Sequence, residues 1–112
     1  MSRKKSHAQV FPPGDFIREE LEARGWTQGD LAHIIGRPLQ TVNAIVNAKK
    51  EITPETAVAL GAAFGTSAEL WLRLETTYRL AQAGDPDPAI KSRVQEHERE
   101  TRRTAKVNAV RG

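Results

Sequence analysis

Gln40, Thr41, Asn43 and Asn47 put four uncharged hydrogen-bonding side chains into one short stretch, on or near a single side of any helix formed there. A carboxamide carries a donor beside an acceptor, the complement of an adenine edge in the major groove of DNA. Arg37 precedes the stretch and Lys49 and Lys50 follow it, where cations can reach flanking phosphates. No acidic residue lies between Asp30 and Glu51. This pattern assigns base reading to Gln40 and Asn43, with Thr41 and Arg37 in support, and phosphate contact to Gln28, Asn47, Lys49 and Lys50. Helix hairpins in any all-α protein share the apolar spacing of this region. The charge distribution separates a groove-facing surface from an ordinary solvated one.

Two helices must position these groups. The first opens at Thr27, whose hydroxyl can cap the first turn, with Asp30 at capping-box spacing. Leu31, Ala32, Ile34 and Ile35 form its apolar side. After a break at Gly36, the second starts at Pro38, whose fixed backbone angle suits the first helical position, and buries Val42, Ile45 and Val46. Two short helices joined by a tight turn at glycine make a helix-turn-helix pattern.

Catalytic chemistry has little to stand on. The chain has no cysteine, and its three histidines, His7, His33 and His97, are far apart. Glu19, Glu20 and Glu22 are the nearest thing to paired carboxylates, but no histidine or metal-ligand spacing accompanies them. The sequence therefore predicts a binding protein without metal or cofactor.

With 112 residues and 38% hydrophobic content, the chain has room for one domain with a modest core. No apolar run approaches membrane-spanning length, so a cytoplasmic protein is expected. The net charge of +3 is unevenly placed: residues 1–14 carry +3, residues 15–84 carry −2 and residues 85–112 carry +2. Asp15, Glu19, Glu20 and Glu22 make the first helix acidic, a surface suited to a basic partner.

Around the central pair, the pattern predicts a mobile arm over residues 1–11 and a folded domain over 12–84. The first helix spans Asp15 to Arg24, packs through Phe16, Ile17 and Leu21, and stops at Gly25. Thr53-Pro54-Glu55 starts a fourth helix that runs to Phe64. Thr66-Ser67-Ala68-Glu69 is a second capping box, opening a fifth helix that ends near Ala83. Trp71, Leu74 and Tyr78 share one stripe of it, either as a two-fold dimer interface or as intramolecular core. Beyond Gly84-Asp85-Pro86-Asp87-Pro88, residues 85–112 read as a charged tail, a frayed helix or disordered. The fold class is thus all-α, with five helices and a charged C-terminal tail.

Several of these residues resemble the HigA-type, VapI-like antitoxins of the Xre and phage-repressor helix-turn-helix class, whose domains are lambda-repressor-like. Pro13-Gly14-Asp15, Arg18-Glu19-Glu20-Leu21, Leu31-Ala32, Ile35-Gly36, Thr41-Val42, Asn47, Lys49 and Ile52-Thr53-Pro54-Glu55 carry the match. Glu69-Leu70-Trp71-Leu72-Arg73-Leu74 and Tyr78 match the tryptophan-containing helix of these antidotes. The resemblance implies a homodimer that represses its own operon at a palindromic operator in double-stranded DNA. It also implies neutralisation of a small toxin, usually a RelE-like mRNA endonuclease, and a basic toxin would suit Glu19, Glu20 and Glu22. The alternatives are an Xre-type regulator without a toxin, or a protein-binding inhibitor that has lost DNA binding.

This chain departs from the family pattern at several points. Pro38 stands where serine or threonine commonly begins the reading helix, and Ala44 where arginine is often presented to a base. Glu75 and Arg79 replace the usual glutamine and aspartate around Tyr78. Ala48 replaces the usual glycine, so its turn must avoid the left-handed conformation or accept roughly 1–2 kcal/mol.

Overall fold

Helix starts and stops follow local chemistry. A computed structural model describes residues 10–111, so most of the expected arm at 1–11 lies outside the described residues. Helix α1 spans Pro13–Arg24. It begins at Pro13 rather than Asp15 because proline already holds a helical φ and lacks the amide that a first turn leaves unpaired. Gly25, at φ 70°, ends it, and the Trp26 amide then reaches back to the Leu21 carbonyl at 2.9 Å.

Helix α2, Gln28–Ile35, has the capping box read from the sequence. The Asp30 amide donates to Thr27 Oγ1 at 3.0 Å and the Thr27 amide to Asp30 Oδ2 at 2.9 Å. Leu31 and Ala32 are buried, but Ile34 is 47% exposed. At 100° per residue Ile34 falls off the arc shared by Leu31, Ala32 and Ile35, which removes it from the expected core.

Helix α3, Leu39–Val46, starts one residue later than expected. Pro38 has ψ 148°, an extended value, and acts as the N-cap. Its carbonyl accepts from the Thr41 and Val42 amides at 3.0 and 3.2 Å, but it has no cap side chain. At the other end Ala48 adopts φ 63°, the left-handed alternative. The Lys49 and Lys50 amides close the turn on the Ala44 carbonyl at 2.8 and 3.2 Å. Ala48→Gly should therefore raise unfolding free energy by about 0.5–1 kcal/mol, the relief of the left-handed penalty less the entropy that glycine loses. Thermal denaturation followed by circular dichroism should show a midpoint higher by about 2–8 °C. An unchanged midpoint would mean that Ala48 is unstrained.

Helix α4, Pro54–Phe64, is capped by Thr53, and α5 spans Ala68–Ala83. Ser67 Oγ accepts from the Leu70 amide at 3.1 Å. Thr66 instead takes the Trp71 indole N–H on its Oγ1 at 2.8 Å. The core combines Ile17 and Leu21 of α1, Leu31 of α2, Val42 and Val46 of α3, Leu60 and Phe64 of α4, and Trp71 of α5. Gly14 sets how closely α1 meets α3: a Cβ there would stand 1.8 Å from the Val46 carbonyl oxygen. No side chain larger than hydrogen allows that approach.

The chain divides into two units, residues 1–82 and 83–112. The second contains helix α6, Pro88–Arg111, 24 residues long. The Ala89 amide bonds Asp87 Oδ1 and the Ile90 amide bonds the Asp87 carbonyl, both at 3.0 Å. The described residues thus form six helices and no strand, where the sequence predicts five and a frayed or disordered tail. Apolar packing is a poor guide here, because Ile90, Val94 and Val107 are exposed. Proline at the start, an aspartate cap and strong helix formers account for this helix.

Candidate nucleic-acid interface

The hydrophobic face of α3 dictates what its other face shows. Burying Val42, Ile45 and Val46 turns Leu39, Gln40, Asn43 and Asn47 outward, with Thr41 and Ala44 half-buried at the border. A shallow depression between the starts of α2 and α3 is lined by Thr27, Gln28, Gly29, Leu39, Gln40 and Asn43. Sequence reading separates Gln28 from Asn43 as a phosphate group and a base group. Here they are one unit.

A chain of hydrogen bonds joins three helices across this surface. Asn43 Nδ2 donates to Gln28 Oε1 at 3.1 Å, and Asn47 Nδ2 donates to Asn43 Oδ1 at 3.1 Å. Arg18 Nη2 donates to Asn47 Oδ1 at 2.9 Å, while its Nη1 bonds Asp15 Oδ1 at 3.1 Å. Asn43 thus has its amide plane fixed at both ends. One Nδ2 hydrogen and one Oδ1 lone pair stay available, which is what an adenine edge needs. Gln28 keeps both amide hydrogens for an acceptor such as a phosphate oxygen. Gln40, Lys49 and Lys50 are exposed.

Arg37 belongs elsewhere. Its Nη1 donates to Thr56 Oγ1 at 3.2 Å, and Thr56 also accepts from Thr53 Oγ1 at 3.1 Å. The guanidinium pins the turn to the start of α4, so the structure does not bring it to Gln40 and Asn43. Arg18, quoted above only for its resemblance, is the polar residue that sequence reasoning missed. Its partner lies 29 positions away, a separation with no local signature.

The left-handed turn after α3 has a brace from α5. Arg79 Nε bonds the buried Glu75 carboxylate at 2.5 Å, and Nη2 reaches the Ala48 carbonyl at 3.4 Å. The hydrogen bond to Glu75 holds the Arg79 guanidinium above its usual range, and this group, cationic at any working pH, stands at the negative end of the α3 dipole. Glu75 and Arg79, read separately as departures from the family pattern, are partners.

Within the expected dimer stripe, Trp71 is a core residue. It is 1% exposed and packs on Phe64 with ring centroids 5.7 Å apart. Its indole needs a hydrogen-bond partner and Thr66 supplies it, so Trp71 offers no interface surface. Leu74 lies half-buried against the core, and Tyr78 is half-buried with the Arg79 guanidinium 5.3 Å from its ring centroid. Among the acids of α1, Glu20 pairs with Arg24, whose Nη2 donates to the Phe64 carbonyl at 2.9 Å. That engagement leaves Glu19 and Glu22 as the exposed acids of the expected toxin surface. Among the described residues, no group of three or more His, Cys, Asp or Glu side chains could hold a metal ion. No described helix is long and apolar enough to cross a membrane.

A helix-turn-helix family model matches residues 17–71, from α1 to Trp71. Virulence-associated protein I of Dichelobacter nodosus is 34% identical over 87 residues, 77% of this chain and 81% of that protein. An addiction-module antidote protein of the HigA family from Coxiella burnetii is 31% identical with a TM-score of 0.63, covering 82% of this chain and 95% of its own. The Pseudomonas aeruginosa antitoxin HigA, solved with the higBA promoter, is 33% identical with a TM-score of 0.64, covering 80% and 95%. On this evidence of sequence and fold, the chain belongs to the HigA-type, VapI-like family of helix-turn-helix proteins.

Proposed function

We propose that this protein is a transcriptional autorepressor and the antitoxin of a HigB/HigA-type module. As a dimer it reads a palindromic operator with α3, and it neutralises a small basic RelE-like mRNA endonuclease by binding it, without catalysis of its own. The observation that carries the DNA half is the Gln28–Asn43–Asn47–Arg18 chain, which fixes carboxamides on an exposed helix face. Fixing them beforehand reduces the ordering entropy that would otherwise oppose binding. The Pseudomonas aeruginosa relative solved with its promoter supports the same reading. In this scheme Gln40 and Asn43 read bases and Thr41 supports them, while Gln28, Asn47, Lys49 and Lys50 hold phosphates. Arg37 shapes the turn and Arg18 positions Asn47. For the toxin half, Glu19 and Glu22 supply an acidic surface on α1 and the antidote relatives supply the precedent.

Phosphate anchoring gives a direct test. Each cation–phosphate contact adds close to one unit to the slope of log affinity against log salt. A Lys49→Ala/Lys50→Ala protein should therefore bind its own promoter, in fluorescence anisotropy at several salt concentrations, with a slope shallower by about two. An unchanged slope would place both lysines away from the DNA.

A further inference from the structure

Leu39 does not fit a polar reading surface. It is 54% exposed in the first turn of α3, and although a lone exposed leucine is ordinary in itself, this one stands among the polar groups of the outward face. Its neighbours in the depression are Thr27, Gln28, Gly29, Gln40 and Asn43, of which Gln28, Gln40 and Asn43 are assigned above to DNA. Asn43 follows Leu39 by one helical turn, so the two side chains stand one above the other on the same face. The first turn of a reading helix is also the part that enters the major groove most directly. The apolar feature in that groove is the thymine 5-methyl, which distinguishes T·A from every other pair on that edge.

Resting on the DNA-reading proposal above, we infer that Leu39 is a specificity residue that packs against a thymine methyl in each half-site, next to the base read by Asn43. Polar contacts alone leave Leu39 facing water. On the DNA its isobutyl group and the methyl bury each other, and a pair lacking that methyl gains less.

The test uses the full chain. Sites are selected from randomised duplexes with the wild-type protein, and each thymine is then replaced singly by deoxyuridine, which removes only the methyl group. Wild-type affinity should fall about three- to fivefold at one thymine per half-site, the effect of one buried methyl group. Leu39→Ala, whose fold is checked by circular dichroism, should be indifferent to that replacement while keeping its preference at the base assigned to Asn43. A wild-type protein that selects a site but tolerates every deoxyuridine overturns this inference alone. Equal sensitivity in Leu39→Ala does the same. Failure to select any sequence overturns the DNA-reading proposal, and this inference with it.

Discussion

Tyr78→Ala should yield a folded monomer that binds a two-half-site operator at least about 100-fold more weakly than the wild type. The reasoning begins with α3, whose eight residues reach only a few base pairs. Selecting one site in a genome needs two such helices held about 34 Å apart, one turn of DNA. Joining two half-site interactions in one particle strengthens binding by about 10²–10⁴, so loss of the dimer should forfeit a factor in that range. Tyr78 is the residue to change because it is half-buried in the isolated chain, whereas Trp71 is 1% exposed. Truncating Trp71 would open a cavity in the core and unfold the domain before any dimer effect was read. A tyrosine combines large apolar area with a polar tip, a common anchor at protein interfaces. Sedimentation at micromolar concentration should give a monomer, circular dichroism an unchanged helix content, and a toxin held by α1 should still be captured. A Tyr78→Ala protein that remains dimeric and helical would put the two-fold axis elsewhere.

The elements were legible in the sequence wherever the signal is local. Thr27 with Asp30, Thr53 with Pro54, and glycines at positions 25 and 36 mark helix ends through groups a few residues apart, and the structure has those caps. Local signals were weaker where the backbone itself decides. Pro38 suits the cap position as well as the first helical one, which moved the start of α3 by one residue. Beyond Gly84 no continuous apolar face marks a helix, and α6 rests on capping and helix propensity instead.

The outward face of α3 was legible in the sequence as a set of residues, and the hydrogen bonds that hold it were not. Amphipathicity puts Gln40 and Asn43 outside because Val42, Ile45 and Val46 must be inside. It says nothing about Arg18 reaching Asn47, or about Arg37 turning to Thr56, since each bond joins different elements. The same holds for Gly14. Its place in a Pro-Gly-Asp opening is visible as a family feature, but its reason is the Val46 carbonyl 32 positions on, 1.8 Å from where a Cβ would be. Ile34 shows the opposite failure, in which an apolar residue is placed correctly on its helix and wrongly in the molecule, while Trp71 takes the core reading of the two left open for its stripe.

Asn43→Ala should have the second large effect, because Asn43, proposed as a base reader, is also the centre of the hydrogen-bond chain. Its loss removes a bidentate contact worth about 1–3 kcal/mol of discrimination. It also frees Gln28 and Asn47 from the partner that orients them. Gln40→Ala, outside that chain, should show the base-reading effect without the loosened anchors. The decisive measurement is the ratio of affinities for the selected operator and for random duplex at one salt concentration, for the wild type, Gln40→Ala and Asn43→Ala. Both variants should lower the ratio about 5- to 150-fold, Gln40→Ala by relaxing one base position per half-site with random-duplex affinity preserved. If either variant weakens operator and random DNA by the same factor, that side chain does not read sequence, and if both do, α3 is not the reading helix.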